Sequence, residues 1–245
     1  MDRRAQVGVD RRYVDGTYLA ENVEWHREDS PWKSRLVERI LVDHGISPPS
    51  ICDVGCGAGD VLEQLKRAFP SAALTGFDVS PQLERFWAQR EGIEFHLGPP
   101  GDVAERRYGV VLMLDVFEHV RDPFSLLESV RRLGEHFVFH IPLDLSALNV
   151  LRGAPLERVR STVGHLHFYT KDLALALLKD CGYRVVDSRY TGAYALGAQR
   201  SWRTAFATLP RRVAYALHKD LGVRLLGGET LLVLAQPETF AGSGD

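Results

Sequence analysis

Hydrophobic positions along the chain fall into two alternating kinds of run. Short, largely apolar stretches stand at Ile51–Val54, Ala73–Phe77, Ile93–Leu97, Val110–Leu114, His136–Ile141, Val185–Tyr190 and Glu229–Ala235. Their lengths and the Gly, Pro and Asp residues beside them predict strands. Between them the apolar residues recur at helical spacing, as in Val61, Leu62, Leu65 and Phe69, or Leu173, Leu175, Leu177 and Leu178 within Lys171–Cys181. Ser30-Pro31 supplies an N-cap and a first-turn proline for a helix running through Leu36, Val37, Ile40 and Leu41 to a stop at Gly45. Pro48-Pro49 then punctuates before the first strand, Asp122-Pro123 starts a helix ending near Gly134, and Gly182 is placed as a C-cap. Strands alternating with helices predict a Rossmann-like α/β fold, a doubly wound, seven-stranded, mostly parallel sheet with helices on both faces.

The first strand leads into the stretch around which the rest is organised, Ile51–Asp60, which reads I-C-D-V-G-C-G-A-G-D. Strand, three alternate glycines (Gly55, Gly57, Gly59) and helix form the opening of a nucleotide site, where a tight turn brings the ligand almost onto the backbone. A dinucleotide fingerprint, G-x-G-x-x-G, counted from Gly55 puts its third glycine at position 60, which is Asp60. Asp53 and Asp60 flanking the turn would repel a diphosphate and suit a ligand with positive charge. S-adenosylmethionine (SAM), with an ammonium and a sulfonium and no phosphate, is such a ligand; an NAD-dependent oxidoreductase is the competing reading. No Gly-Lys-Ser/Thr follows, so a phosphate-binding P-loop is excluded. Asp78 ends the second strand, one βαβ step beyond Asp53, where a carboxylate can accept hydrogen bonds from both ribose hydroxyls. It can equally cap the helix opened by Ser80-Pro81.

The wording D-V-G-C-G-A-G at Asp53–Gly59 resembles motif I of the class I SAM-dependent methyltransferases. Asp115–Val120, D-V-F-E-H-V, resembles the post-strand signature of the small-molecule members of that family, and G-H-x-H-F-Y-T at Gly164–Thr170 followed by C-G-Y-R-V-V resembles the same group. The resemblance covers roughly residues 30–190. It implies SAM as cofactor, S-adenosylhomocysteine (SAH) as product, and cofactor contacts at Asp53, Gly55, Cys56, Gly57, Asp78, Val79 and Gly98. It further implies an N-terminal segment folding over the pocket as a lid, with Tyr18 and Trp25 as candidates to face the sulfonium. Leu114 and Asp115 join the cofactor-pocket candidates because open α/β sheets bind ligands at the carboxyl ends of their strands. Where the family has an acid after the third strand's glycine this chain has Pro99, with Asp102 three residues on.

Methyl transfer needs nucleophile, methyl and sulfur held in line and dry, and only a hydroxyl acceptor calls for a base. His119, His165 and His167 are the candidates. His119 can instead cap or pack a helix. His165 and His167 alternate, so in an extended segment they share a face, where base, substrate anchor and loop support are open roles. The expected activity is methyl transfer to an oxygen or nitrogen of a small molecule, sugar-, natural-product- or lipid-linked. A SAM-binding module without catalysis is a further alternative.

Composition narrows this little. At 245 residues the chain suits one α/β domain: a helical lid segment at 1–45, the methyltransferase domain at 46–240 with insertions at about 143–164, read as irregular, and 197–228, and a disordered tail at 241–245. A formal net charge of -2 gives no reason to expect nucleic acid as partner. No apolar run reaches a membrane span and M-D-R-R-A-Q is no signal peptide, so cytoplasmic residence is the expectation. Cys52, Cys56 and Cys181 lack zinc or disulfide spacing and read as packing residues, and no metal ligand is assigned. Between the last two strands, Arg200, Arg203, Arg211, Arg212, Lys219 and Arg224 are interleaved with Trp202, Phe206, Val213, Tyr215 and Leu217. That is either a solvated helical face or a basic, aromatic surface for peripheral contact with an anionic membrane at 200–224.

Overall fold

The computed structural model describes residues 27–101, 106–194 and 202–238. Tyr18, Trp25, the lid segment before Arg27, Asp102, Arg200 and the tail lie outside them. The strands are β1 (Ser50–Val54), β2 (Ala73–Asp78), β3 (Glu94–Leu97), β4 (Tyr108–Leu114), β5 (Gly134–Pro142), β6 (Tyr183–Tyr190) and β7 (Thr230–Pro237). They form one sheet in the order β3-β2-β1-β4-β5-β7-β6. All neighbouring pairs are parallel except those made by β7, which runs antiparallel between β5 and β6. The seven expected strands are all present, no bound shifted by more than two residues.

The centre of the sheet shows why these residues make strands. Val110, Leu112 and Leu114 pack on one face with Ile51, Leu232 and Leu234, while Val111 and Met113 pack on the other with Cys52, Phe137 and Phe139. Both faces are dry, so β4 reads as a continuous apolar run rather than an alternation. Helix α1 (Ser30–Asp43) and helix α2 (Asp60–Ala68) cover the first face, with Val37, Ile40, Leu41, Leu62 and Leu65 all buried. The other is covered by α4 (Pro123–Val130) and α7 (Lys171–Asp180), through Leu127, Val130, Ala174 and Leu178. A short α3 (Glu84–Trp87) stands before β3.

Two local expectations are corrected, and a third segment, read as either a helical face or a basic surface, is helical. Ser30 lies inside the first turn of α1, with Asp29 in the cap position. The insertion read as irregular is helical: α5 (Ala147–Arg152) is capped by Ser146, whose hydroxyl accepts from Asn149 N–H, and Gly153 (φ +63°) breaks it from α6 (Ala154–Arg158), which passes into a π turn at Val159–Val163. Apolar spacing over so few residues cannot separate three short turns from a loop. The connection between β6 and β7 forms α8 (Trp202–Leu217) and α9 (Lys219–Leu226).

Candidate active site

Every parallel strand points its carboxyl end at one edge of the sheet, and there a cleft of ≈ 330 Å³ opens between the glycine turn and residues from the 143–164 insertion and beyond. Asp53, Gly55, Cys56, Gly57, Asp78, Val79, Gly98, Leu114, Asp115, His119 and His165 all line it. The expected cofactor residues that the structure describes are therefore brought together.

The glycines have different reasons. A Cβ on Gly55 would stand 2.6 Å from Val116 Cγ2, and one on Gly59 2.6 Å from the Phe95 ring, so both are needed for close packing. A Cβ on Gly57 would meet nothing within 4 Å, and only its left-handed φ of +54° demands glycine. The turn is clamped by long-range partners. Asp78 accepts from Gly57 N–H through Oδ2 (3.0 Å) and from Ser80 N–H through Oδ1 (3.0 Å). Trp87 Nε1 donates to the Gly57 carbonyl at 2.8 Å. Asp78 thus shapes the loop as well as facing the cleft, and burial pushes its carboxyl up against the backbone N–H groups that favour its charge.

The electrostatic reading of Asp60 needs correction. Its carboxylate is held by Arg27 (2.7 and 3.0 Å) and by Arg90 (2.5 Å), which lies across α2 on the chain after α3. Its charge is compensated, so it cannot be what repels a diphosphate. Asp53 is the uncompensated acid. It is 2% exposed, its Oδ1 has no hydrogen-bond partner, and its carboxyl is pushed up to about 7, first by burial and then by the charge of Asp78, with Lys33 opposing. A buried carboxyl that faces a cleft with no cation paired to it is a site for one.

Asp115 takes a different role. It turns the chain out of β4 with φ +57°, the only non-glycine among the described residues with positive φ. Its Oδ1 meets His140 Nδ1 at 2.6 Å and its Oδ2 meets Lys33 Nζ at 2.6 Å. Burial works against its charge, but these two neighbours outweigh it and hold the carboxyl far below the usual range. On Lys33 burial likewise opposes the charge, and Asp115 outweighs it and raises the ammonium's pKa. His140 Nε2 continues to the Thr230 hydroxyl at 2.7 Å, tying β4, β5 and β7 together under the cleft. Lys33, His140 and Thr230 were not singled out from sequence; nothing in S-P-W-K marks Lys33, whose partner lies on another element.

The far end of the cleft is made by the turn after β4 and the loop before α7. His165 Nδ1 pairs with Asp144 Oδ2 at 2.7 Å, and the His119 and His165 rings meet edge to face, 4.7 Å between centroids. Glu118 is fully buried, 4.0 Å from His119 Nε2. His167 does not share the face of His165. The segment is not extended: Gly164 is left-handed (φ +91°) and the Glu118 carbonyl accepts from both Leu166 N–H (2.8 Å) and His167 N–H (3.2 Å). His167 Nε2 contacts the Val120 carbonyl at 3.0 Å, and His167 is not among the residues that line the cleft. Glu118 and Asp144 were also passed over. Asp144, an acid just beyond the carboxyl end of β5, was findable on the strand-edge rule.

A family model described as a methyltransferase domain matches residues 25–188. A demethylmenaquinone methyltransferase from Thermotoga maritima is 29% identical over 108 residues, 43% of this chain and 46% of the relative. A ubiquinone biosynthesis O-methyltransferase from Nitrosomonas europaea is 28% identical over 120 residues, 43% of this chain and 47% of the relative. In both cases the chain spans about half the length of the curated relative. Among solved structures, the SAH-bound magnesium protoporphyrin IX methyltransferase from Synechocystis PCC 6803 covers 87% of this chain with 84% of its own, at 16% identity and a TM-score of 0.53, a likeness of fold. With the sheet order, the glycine turn and a family match over most of its length, the chain belongs to the class I SAM-dependent methyltransferase family.

Proposed function

We propose that the protein transfers the methyl group of SAM to an oxygen or nitrogen of a small molecule. The observation that carries this is the continuity of one cleft from the glycine turn, through Asp53 and Asp78, to the His119–His165 end. The residues fit the cofactor. Gly57 leaves open space where a Cβ would sit, Asp78 offers a carboxylate at the end of β2, and the unpartnered oxygen of Asp53 suits a ligand cation. Lys33 beside Asp115 places a cation and an anion 2.6 Å apart in the cleft wall, matching a ligand end that carries both a carboxylate and an ammonium. SAM supplies a methyl on a sulfonium, which needs no further activation.

The chain's own residues orient and dry the site. The Gly55–Gly59 turn fixes one side and Val116, Val120, Leu126 and Val163 give apolar walls. A hydroxyl acceptor can lose its proton to His119 or to His165, whose orientation Asp144 sets. An amine acceptor needs neither. The curated relatives' printed names concern menaquinone and ubiquinone, and this supports a flat, ring-bearing acceptor.

Peripheral membrane contact through 200–224 is part of the proposal. No helix among the described residues is long and apolar enough to cross a membrane. Within 200–224, Arg211 is spent on the Leu226 and Gly227 carbonyls, Lys219 on Glu229 and Arg224 on Asp172. What supports the contact is the exposure of Val213, Leu217 and Leu221. Incubation with methyl-labelled SAM and a panel of phenols, amines and isoprenoid-linked phenols is the test. Label transfer to a phenol or amine supports the proposal, and SAM binding without transfer to any of them favours a non-catalytic SAM-binding module.

A further inference from the structure

We propose that Glu118, His119 and His165 form a binding site for one divalent transition-metal ion of the zinc class at the acceptor end of the cleft. One carboxylate oxygen and one nitrogen from each histidine lie within 4.8 Å of one another. A zinc ion with ligands about 2.0–2.2 Å away needs them about 3.3–3.6 Å apart, so side-chain rotations of about an ångström would close the set.

Glu118 carries the independent observation. Its side chain has no solvent exposure and neither carboxylate oxygen has a hydrogen-bond partner. A buried carboxyl in that state is costly, and the one basic group within 4.0 Å of it among the described residues is the His119 ring. Lys33, the next cation along the wall, is committed to Asp115. Asp115 and Asp144 add further negative charge around Glu118, so the pocket lacks a cation rather than an anion.

The histidines are set for ligation. Asp144 holds His165 through Nδ1, which leaves Nε2 for an ion and fixes the ring, the arrangement by which a carboxylate orients a metal-bound imidazole. The Glu118 carbonyl, accepting from Leu166 and His167, locks the His165 loop onto the Glu118–His119 turn, so two distant segments are held in register. Two imidazoles and one carboxylate are the donor set of catalytic rather than closed structural zinc sites, with a coordination position to spare. His119 and His165 line the cleft, so that position faces the acceptor.

The assignment deepens the proposed function and rests on it for its role. An acceptor hydroxyl, phenolic or enolic, takes the open position. Its O–H bond breaks, the proton passes to bulk water, and the electron pair stays on the metal-held oxygen. The ion then replaces the histidines as the means of deprotonation.

The test is a calorimetric titration of the chelator-stripped full chain with ZnCl2, with SAH titrated into the same preparation. One equivalent of zinc is expected. Glu118→Gln and Asp144→Asn should each weaken it about 10–100-fold, and His165→Ala more, with SAH binding retained. The wild-type chain loaded with cobalt(II) should show visible absorption bands of a low-coordinate nitrogen–oxygen site, a readout that needs no variant. Absence of stoichiometric zinc and of the cobalt bands in a protein that binds SAH overturns the metal site alone. So does zinc binding that survives both Glu118→Gln and His165→Ala. A protein that binds zinc but not SAH would instead overturn the cofactor reading.

Discussion

Asp53 gives a prediction whose size follows from its surroundings. Its carboxyl titrates at about 7 because it is buried and faces Asp78. A ligand bringing positive charge favours the ionised form, so affinity should track the ionised fraction, about one tenth at pH 6 and about nine tenths at pH 8. SAH should therefore bind about tenfold more tightly at pH 8 than at pH 6. Folding runs the other way. A carboxyl raised above the ordinary aspartate value of 3.8 contributes stability that is present below that value and lost as pH rises through about 7. The free protein should lose thermal stability between pH 5 and pH 8, and saturating SAH should shrink the loss. Asp53→Asn cannot titrate, so it should flatten the Asp53 part of both curves and subtract the ligand's own protonation. Calorimetric titrations at pH 6, 7 and 8 on both proteins measure this. Equal affinity at pH 6 and 8 in the wild type, or an identical slope in the variant, would refute it.

Other perturbations follow from the same geometry. Asp78→Ala removes an acceptor from Gly57 N–H and Ser80 N–H as well as the ligand contact, and should weaken SAH by about 1.5–3 kcal/mol per charged hydrogen bond lost; an unchanged dissociation constant in a folded variant would sink its ribose role. Gly59→Ala places a methyl 2.6 Å from the Phe95 ring at φ +79°, and chemical denaturation should show a loss of about 1–3 kcal/mol. Lys33→Met leaves Asp115 with His140 alone and should cost about 1–3 kcal/mol in the same assay while also weakening SAH. A Leu217→Ser/Leu221→Ser double variant should lose binding to anionic phospholipid vesicles without change in SAH affinity; equal sedimentation of both proteins would remove the membrane contact.

What could be read from the chain was whatever is local. The strands and the alternate glycines declare themselves because burial on both faces and a positive φ each restrict one position at a time. Asp78 was legible because its place at the end of β2 fixes its surroundings. Asp60 was legible as a residue but not as a charge: Arg27 and Arg90, far off in sequence, neutralise it. Asp115 was found for its position just past the carboxyl end of β4, yet its partners Lys33 and His140 come from α1 and β5 and carry no signal of their own. The two histidines of G-H-L-H looked equivalent under alternation. One left-handed glycine and two N–H groups given to the Glu118 carbonyl set them apart: His165 lines the cleft and His167 does not.

The most direct measurement is calorimetric titration of the purified chain with SAM, SAH and NAD at pH 8. One equivalent of SAM and of SAH binding at micromolar concentration, with no heat from NAD, is the result expected of a cleft built around Asp53, Gly57 and Asp78. Binding of NAD without SAM or SAH would contradict it.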